Sequence, residues 1–297
     1  MKTQLLLQFL LNGLIVGTLY GMVAMAFVLI YKASKIVNFA QGEFLLVGAW
    51  TCWWLLAQFN LPFYVGFLIV MVVMTLLGLL IQVVILRPLI GQPIISVIMV
   101  TIGLSVFMQA MMKWIFGTDP KSFKPIFDRK TVEIAGMNFE TVYIMSAVLA
   151  VISMASFAYL FKATKIGLAM RATAFNQQVA SSLGVSVKRI FAVSWAISAV
   201  VSGVAGIVVG AVNGVSAGLS SFGLKVFPAV ILGGFDSIVG AVVGGILIGV
   251  LENLAEFVDG QYLQWGNLYS IAPFYVLVLV LMIKPYGLFG TRDIERV

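Results

Sequence analysis

The residues with chemical potential in this chain are few, and they sit inside apolar stretches. VNFAQGEFLLVGAW, residues 37–50, places Asn38, Gln41 and Glu43 at the head of a segment that stays apolar to Phe59. Amide and carboxylate groups there are costly unless they face protein or water, and ionisable groups at membrane depth commonly mark solute pathways. Gly42, beside Glu43, is expected to break the helix and offer backbone groups to a passing polar solute, as in transporters with discontinuous helices. The plainer alternative makes Asn38 and Gln41 interfacial caps and pairs Glu43 with a basic residue at the inner surface. A second candidate is SFGLKVFPAVILGGFDSIVGAV, in which Gly233, Gly234 and Asp236 follow an apolar run that is interrupted by Pro228 and is too short to span. Glu252 and Glu256 share a helix face further on, either at the outer interface or lining a lumen. There is no histidine and one cysteine, Cys52, which leaves no histidine metal site, proton relay or internal disulfide. No enzymatic centre and no cofactor are expected. No nucleotide-binding G-x-x-x-x-G-K-[ST] occurs, so if ATP drives this protein another chain binds it.

The elements that must hold these groups are membrane helices. Of 297 residues, 62% are hydrophobic and 10% charged, against about 25% charged in soluble domains. The class is an all-α polytopic membrane protein with about 8 transmembrane helices plus a re-entrant or half-helix segment near residues 222–236, by the length a helix needs to cross a bilayer. We read 1–297 as a single transmembrane domain with a cytoplasmic loop at 162–189. The uncharged stretch from Gln4 to Tyr31 is longer than a signal-peptide core and reads as a retained first span. Within it Gly13, Gly17 and Gly21 recur every four residues, and twelve of the 29 glycines fall between Gly203 and Gly249, marking close helix packing. Further spans are expected at Pro62–Leu86, Ile94–Phe116, Thr141–Phe161, Ile190–Val212, Ile238–Val258 and Leu268–Ile283. The net charge of +7 is spread singly at span ends and forms no nucleic-acid footprint.

Lys162–Arg189, KATKIGLAMRATAFNQQVASSLGVSVKR, holds five of the eighteen basic residues and no acidic one, so it should face the cytoplasm. Its pattern predicts one amphipathic helix with Leu168, Ala172, Phe175, Val179 and Leu183 on a stripe that packs on the membrane bundle. Gly184 would be its C-cap, leaving Arg171, Gln178, Ser181 and Ser182 for a partner. A helix that merely lies at the lipid interface is the alternative. With this loop inside, Lys32, Lys35, Arg87, Lys284, Arg292 and Arg296 also face in. The mixed-charge loop Gly117–Glu140 and the N-terminus are then outside, and the C-terminus is cytoplasmic.

Several of these stretches carry a family resemblance. VNFAQGEFLLVGAW resembles the N-F-A-H-G-E signature of branched-chain amino acid ABC importer permeases of the LivH type, and VFPAVILGGFDSIVGAVVGGILIGVLE is similar to that family's A-V-L-G-G-x-G-S-I-x-G-A-x-x-G-G motif. MRATAFNQQVASSLGVSVKRI resembles its cytoplasmic coupling loop, and KPYGLFG its ending. Gln41 stands where histidine is usual, Phe235-Asp236 where small residues are common, and Ala180-Ser181-Ser182 is a loose version of the coupling motif. The resemblance implies a permease subunit that translocates leucine, isoleucine or valine inward across the bacterial inner membrane. It also implies a second related permease, two ATPase subunits and an extracytoplasmic binding protein. Under it, Asn38, Gln41, Gly42, Glu43, Gly233, Gly234 and Asp236 are pathway candidates, and Arg171, Gln178, Ala180, Ser181, Ser182 and Gly184 coupling candidates. A urea or short-chain amide permease is the nearest alternative. From other classes, an ion-coupled secondary transporter or a channel would also account for Glu43 and the broken segments, but neither needs the cytoplasmic helix.

Overall fold

The computed structural model describes residues 2–90, 92–123, 130–134 and 137–290. Arg292 and Arg296, and Lys124, Pro125, Asp128 and Arg129 of the long loop, lie outside the described residues. The helices are α1 (Lys2–Ser34), α2 (Gln41–Gln58), α3 (Phe63–Leu80), α4 (Ile94–Phe116), α5 (Thr141–Ala163), α6 (Lys165–Phe175), α7 (Gln177–Ser182), α8 (Val187–Asn213), α9 (Leu219–Gly233), α10 (Ile238–Val258) and α11 (Leu268–Ile283). Six helical stretches among the described residues are long and apolar enough to cross a membrane. To these are added α2, whose first turn is polar, and the shorter α9 and α11. The protein is an all-α polytopic membrane protein. Among the described residues there is one small sheet, β1 (Thr131–Ile134) paired antiparallel with β2 (Met137–Glu140), in the long loop where the sequence reading placed no structure.

The chain forms two compact units, residues 1–28, 127–150 and 225–297, and residues 29–126 and 151–224. In the second, α2 and α3 both pack on α8. Helices in lipid gain little from burying apolar surface, so this packing depends on close backbone approach. The residues of α8 supply it: Ser194, Ser198, Ser202, Gly203, Gly206 and Gly210 are all buried. A Cβ on Gly78 of α3 would lie 2.6 Å from the Trp195 carbonyl oxygen of α8, which shows how little room the contact leaves. α3 runs on through a π-helical turn, Ile81–Leu86, and stops at Arg87-Pro88.

In the first unit, the glycine stripe of α1 does what its spacing predicts. A Cβ on Gly17 would meet Ile246 of α10 at 2.7 Å, and one on Gly13 would meet Val250 at 2.8 Å. α9 is one helix of 15 residues with Pro228 inside it, about 22 Å long against a hydrocarbon core of about 30 Å. It is a half-helix without a hairpin, and it begins at Leu219, three residues before the expected segment. Between α10 and α11, the buried Asp259 carboxylate accepts hydrogen bonds from the backbone of Trp265 (2.7 Å), Gly266 (2.9 Å) and Leu268 (3.2 Å). That carboxylate closes the turn and stabilises the start of α11, the end where negative charge suits a helix.

Candidate functional site

The polar residues of the NFAQGE segment lie inside the second unit, where they brace helices. α1 ends at Ser34, Lys35 takes φ 58°, and the chain is non-helical until Gln41. Asn38 shapes this link by accepting from the Ala40 N–H at 3.0 Å, a local turn that asparagine favours. Its side-chain amide donates to Gln41 Oε1 at 3.0 Å, while Gln41 Nε2 donates to Ser202 Oγ at 2.5 Å and Ser198 Oγ at 3.3 Å. Asn38 and Gln41 are each 1% exposed, so they are not interfacial caps. The amides hold the head of α2 on α8, and two serines on α8 complete a site that the sequence motif showed only half of.

Gly42 does not break a helix. It sits in the first turn of α2, packed so closely on the backbone of Ser220 that any side chain would collide, and the discontinuity falls before it at residues 35–40. Glu43 is buried, and its carboxyl faces the Ser105 hydroxyl of α4. Among the described residues it is paired with no basic side chain, contrary to the alternative of an inner-surface ion pair. Glu43→Gln should therefore stay within about 1 kcal/mol of the parent, because glutamine keeps an acceptor for Ser105. Glu43→Leu, which removes it, should cost roughly 1–3 kcal/mol. Thermal unfolding in detergent, measured with transport, checks both; equal damage from the two would mean that the charge itself is needed.

Gly233, Gly234 and Asp236 belong to the other unit. Gly233 packs against the backbone of Gly240. Gly234 takes φ 102° and ends α9. The KPYGLFG tail folds back here, with Leu288 N–H donating to the Leu232 carbonyl (2.8 Å) and Phe289 N–H to that of Gly233 (3.1 Å). These bonds satisfy carbonyls that a helix end otherwise leaves open. Ser237, next to Asp236, is the N-cap of α10, accepting from Gly240 N–H at 3.0 Å. The motif thus builds a helix–turn–helix corner stitched by the tail.

The cytoplasmic-loop candidates form two helices. Asn176 ends α6 and caps α7, its side-chain Oδ1 accepting from the N–H groups of Gln178 (2.9 Å) and Val179 (3.0 Å). That break changes which face is covered. Gly167, Met170, Thr173 and Ala180 are buried, whereas Leu168 is 60%, Phe175 93%, Val179 53% and Leu183 78% exposed. Ala172 is half-buried, but the four large residues of the expected stripe face outward, so the stripe does not hold these helices on the bundle. Ala180 is covered and presents nothing to a partner. Arg171 donates to the carbonyls of Phe161 and Lys162 and lies over the Phe161 ring, so it ties off the end of α5. Gln178, Ser181 and Ser182 are exposed, and Gly184 takes φ 85°, the left-handed cap expected of it.

One polar cavity was missed. In the first unit, about 520 Å³ of space is lined by residues of α1, α9, α10 and α11, by the end of β2 and by the first turn of α5. Lys225 of α9 lies 3.8 Å from Glu252 Oε1, and the Tyr20 hydroxyl donates to Glu252 Oε2 at 2.6 Å. Glu252 is 8% exposed and so is not at a solvated interface, whereas Glu256, one turn on, is exposed. The carboxylates were visible in the sequence. Lys225, alone in a short apolar run, was the signal not used.

Long apolar helices that enclose buried amides and carboxylates define a multi-pass helical membrane protein. Residues 9–283 match the family described as branched-chain amino acid transport system, permease component, and the chain belongs to that family. Its relatives include the high-affinity branched-chain amino acid transport system permease protein LivH of Salmonella typhimurium, 28% identical over 98% of this chain and 97% of that one. BraD of Pseudomonas aeruginosa, which carries the same description, is 28% identical over 98% of each chain. A probable branched-chain amino acid transport permease LivH of Methanocaldococcus jannaschii is 25% identical over 95% of this chain and 92% of its own. Among solved structures, PsaBC from Streptococcus pneumoniae in complex with Fab shares the fold, with a TM-score of 0.54 and 15% identity over 94% of this chain and 92% of that one.

Proposed function

We propose that this chain is the membrane permease subunit of an ATP-driven importer that carries branched-chain amino acids into the cytoplasm. It lies in the inner membrane with its N-terminus outside and its C-terminus inside. It works beside a second related permease, above two ATPase subunits, and receives solute from an extracytoplasmic binding protein. ATP is hydrolysed in the partners, since this sequence holds no phosphate-binding loop. Family membership supports the class and the solute. The observation that carries the mechanism is the row Leu168, Phe175, Val179 and Leu183, exposed on helices whose opposite face is buried, in a segment rich in basic residues. Two short helices with apolar residues presented in this way, Leu168 and Phe175 on α6 and Val179 and Leu183 at α7, suit docking in a groove of a soluble subunit. Gln178, Ser181 and Ser182 flank that row as its polar rim.

The amide cluster at Asn38 and Gln41, Glu43 against Ser105, and the Gly233–Asp236 corner serve in this reading as the frame that the two units keep while solute passes. Their satisfied hydrogen bonds and close backbone packing support that role.

Labelling tests the orientation. In a Cys52→Ser background, Ser122→Cys and Ser181→Cys should react with an impermeant thiol reagent from opposite faces of the membrane. Ser182→Cys should crosslink to the ATPase subunit. Labelling of both positions from one side would sink the orientation, and a Ser182→Cys that never crosslinks would sink the docking surface.

A further inference from the structure

The cavity around Lys225 has no part in the bracing described above, and its chemistry is unlike the rest of the chain. A lysine in a short apolar helix is costly at membrane depth unless it meets water or a counter-charge. Lys225 has both. Its side chain is 40% exposed, stands over the Tyr269 ring with the amine 5.6 Å from the centroid, and is 3.8 Å from Glu252. That pairing is loose and leaves the ammonium hydrogens free to turn to another oxygen. Glu252 by contrast is fixed, because Tyr20 holds its second oxygen at 2.6 Å. Glu256 adds a carboxylate one helical turn away that pairs with no cation among the described residues. Phe9 and Val16 of α1 supply an apolar side to the same space, and Asn12 and Asn253 add neutral amides.

We propose that this cavity is a waypoint for an α-amino acid zwitterion during transport, a reading that rests on the transport function proposed above. The solute carboxylate would take the free hydrogens of Lys225, its ammonium group would lie between Glu252 and Glu256, and an aliphatic side chain would rest against Phe9 and Val16. The volume of about 520 Å³ falls within the usual range of small-molecule sites, roughly 300–1,000 Å³. Glu140 also lines the cavity, so one cation faces three carboxylates. The site therefore favours solutes that carry an ammonium group and rejects those with net negative charge. A direct charge-assisted hydrogen bond would bring the two groups to about 2.7–2.9 Å, whereas the 3.8 Å separation leaves the ammonium room for another oxygen.

Two variants of the full complex, with partner permease, ATPases and binding protein in proteoliposomes, test this. Lys225→Met with Glu252→Gln removes both charges at similar size, a change that a structural pair commonly tolerates. The complex should assemble, the binding protein's affinity for leucine should be unchanged, and leucine uptake at saturating binding protein should fall at least about tenfold. Asn253→Cys, in the Cys52→Ser background, should react faster with a cationic than with an anionic thiosulfonate, and leucine should slow it. The proposal is overturned if the neutral pair transports at the parent rate, if it fails to assemble, or if Asn253→Cys reacts at a rate indifferent to leucine and to reagent charge. If the unmodified complex itself takes up no leucine with ATP, it is the function reading that fails.

Discussion

Gly206→Leu is expected to leave no monodisperse permease in a detergent extract. A Cβ at Gly206 would lie 2.7 Å from the carbonyl carbon of Leu45 on α2, and the colliding atoms are backbone, which cannot swing aside as a side chain would. Overpacking in a core usually costs about 1–3 kcal/mol, and more when nothing can yield. Here the cost falls on the contact between α2 and α8, around which the second unit is built. Gly103→Leu is the matched control. The same addition at Gly103 on α4 meets nothing within 4 Å, and that variant should elute and melt like the parent. Fluorescence-detected gel filtration and a thermal ramp on both would suffice. Parent-like behaviour of Gly206→Leu would mean that α2 and α8 do not approach as described.

Phe175→Asp combined with Leu183→Asp should uncouple the permease without unfolding it. Both side chains are largely exposed, at 93% and 78%, so the change removes little packing within the chain. If they anchor an ATPase subunit, each should cost roughly 2 kcal/mol of docking, about thirtyfold in affinity. Gly184→Val approaches the same surface through the backbone, since a β-branched residue is disfavoured at φ 85°. The expected signature is a stable permease that no longer retains the ATPase on an affinity column and shows no solute-stimulated ATP hydrolysis. Full retention by the double variant would make the row an interfacial anchor in the lipid headgroups.

The contrast between these surfaces shows what was legible in the sequence. Uniformly apolar runs bounded by Pro, Gly or a charge gave α4, α10 and α11 their limits, because a membrane helix must satisfy its own backbone over a fixed thickness. Glycines four apart in α1 indicated packing, and α10 packs there. The cytoplasmic segment failed for an instructive reason. A stripe drawn from Leu168 to Leu183 assumes one continuous helix, but Asn176 bonds the following N–H groups and restarts it, so the periodicity does not carry across. Apolar residues at a membrane surface also need not face the bundle, since a partner or lipid covers them as well. The NFAQGE motif showed its polar groups but not their partners. Ser198 and Ser202 lie more than 150 positions away on α8, and no local pattern links them to Gln41. The β1–β2 pair was hidden because four-residue strands leave too short an alternation to stand out.

The most direct test of the central claim is uptake of radiolabelled leucine into proteoliposomes. This chain alone should move no leucine, with or without an ion gradient. Uptake should appear only when the partner permease, both ATPase subunits, the binding protein and ATP are supplied together. Gradient-driven leucine uptake by this chain alone, or a fully assembled complex that hydrolyses ATP yet accumulates no leucine, isoleucine or valine, would contradict the account.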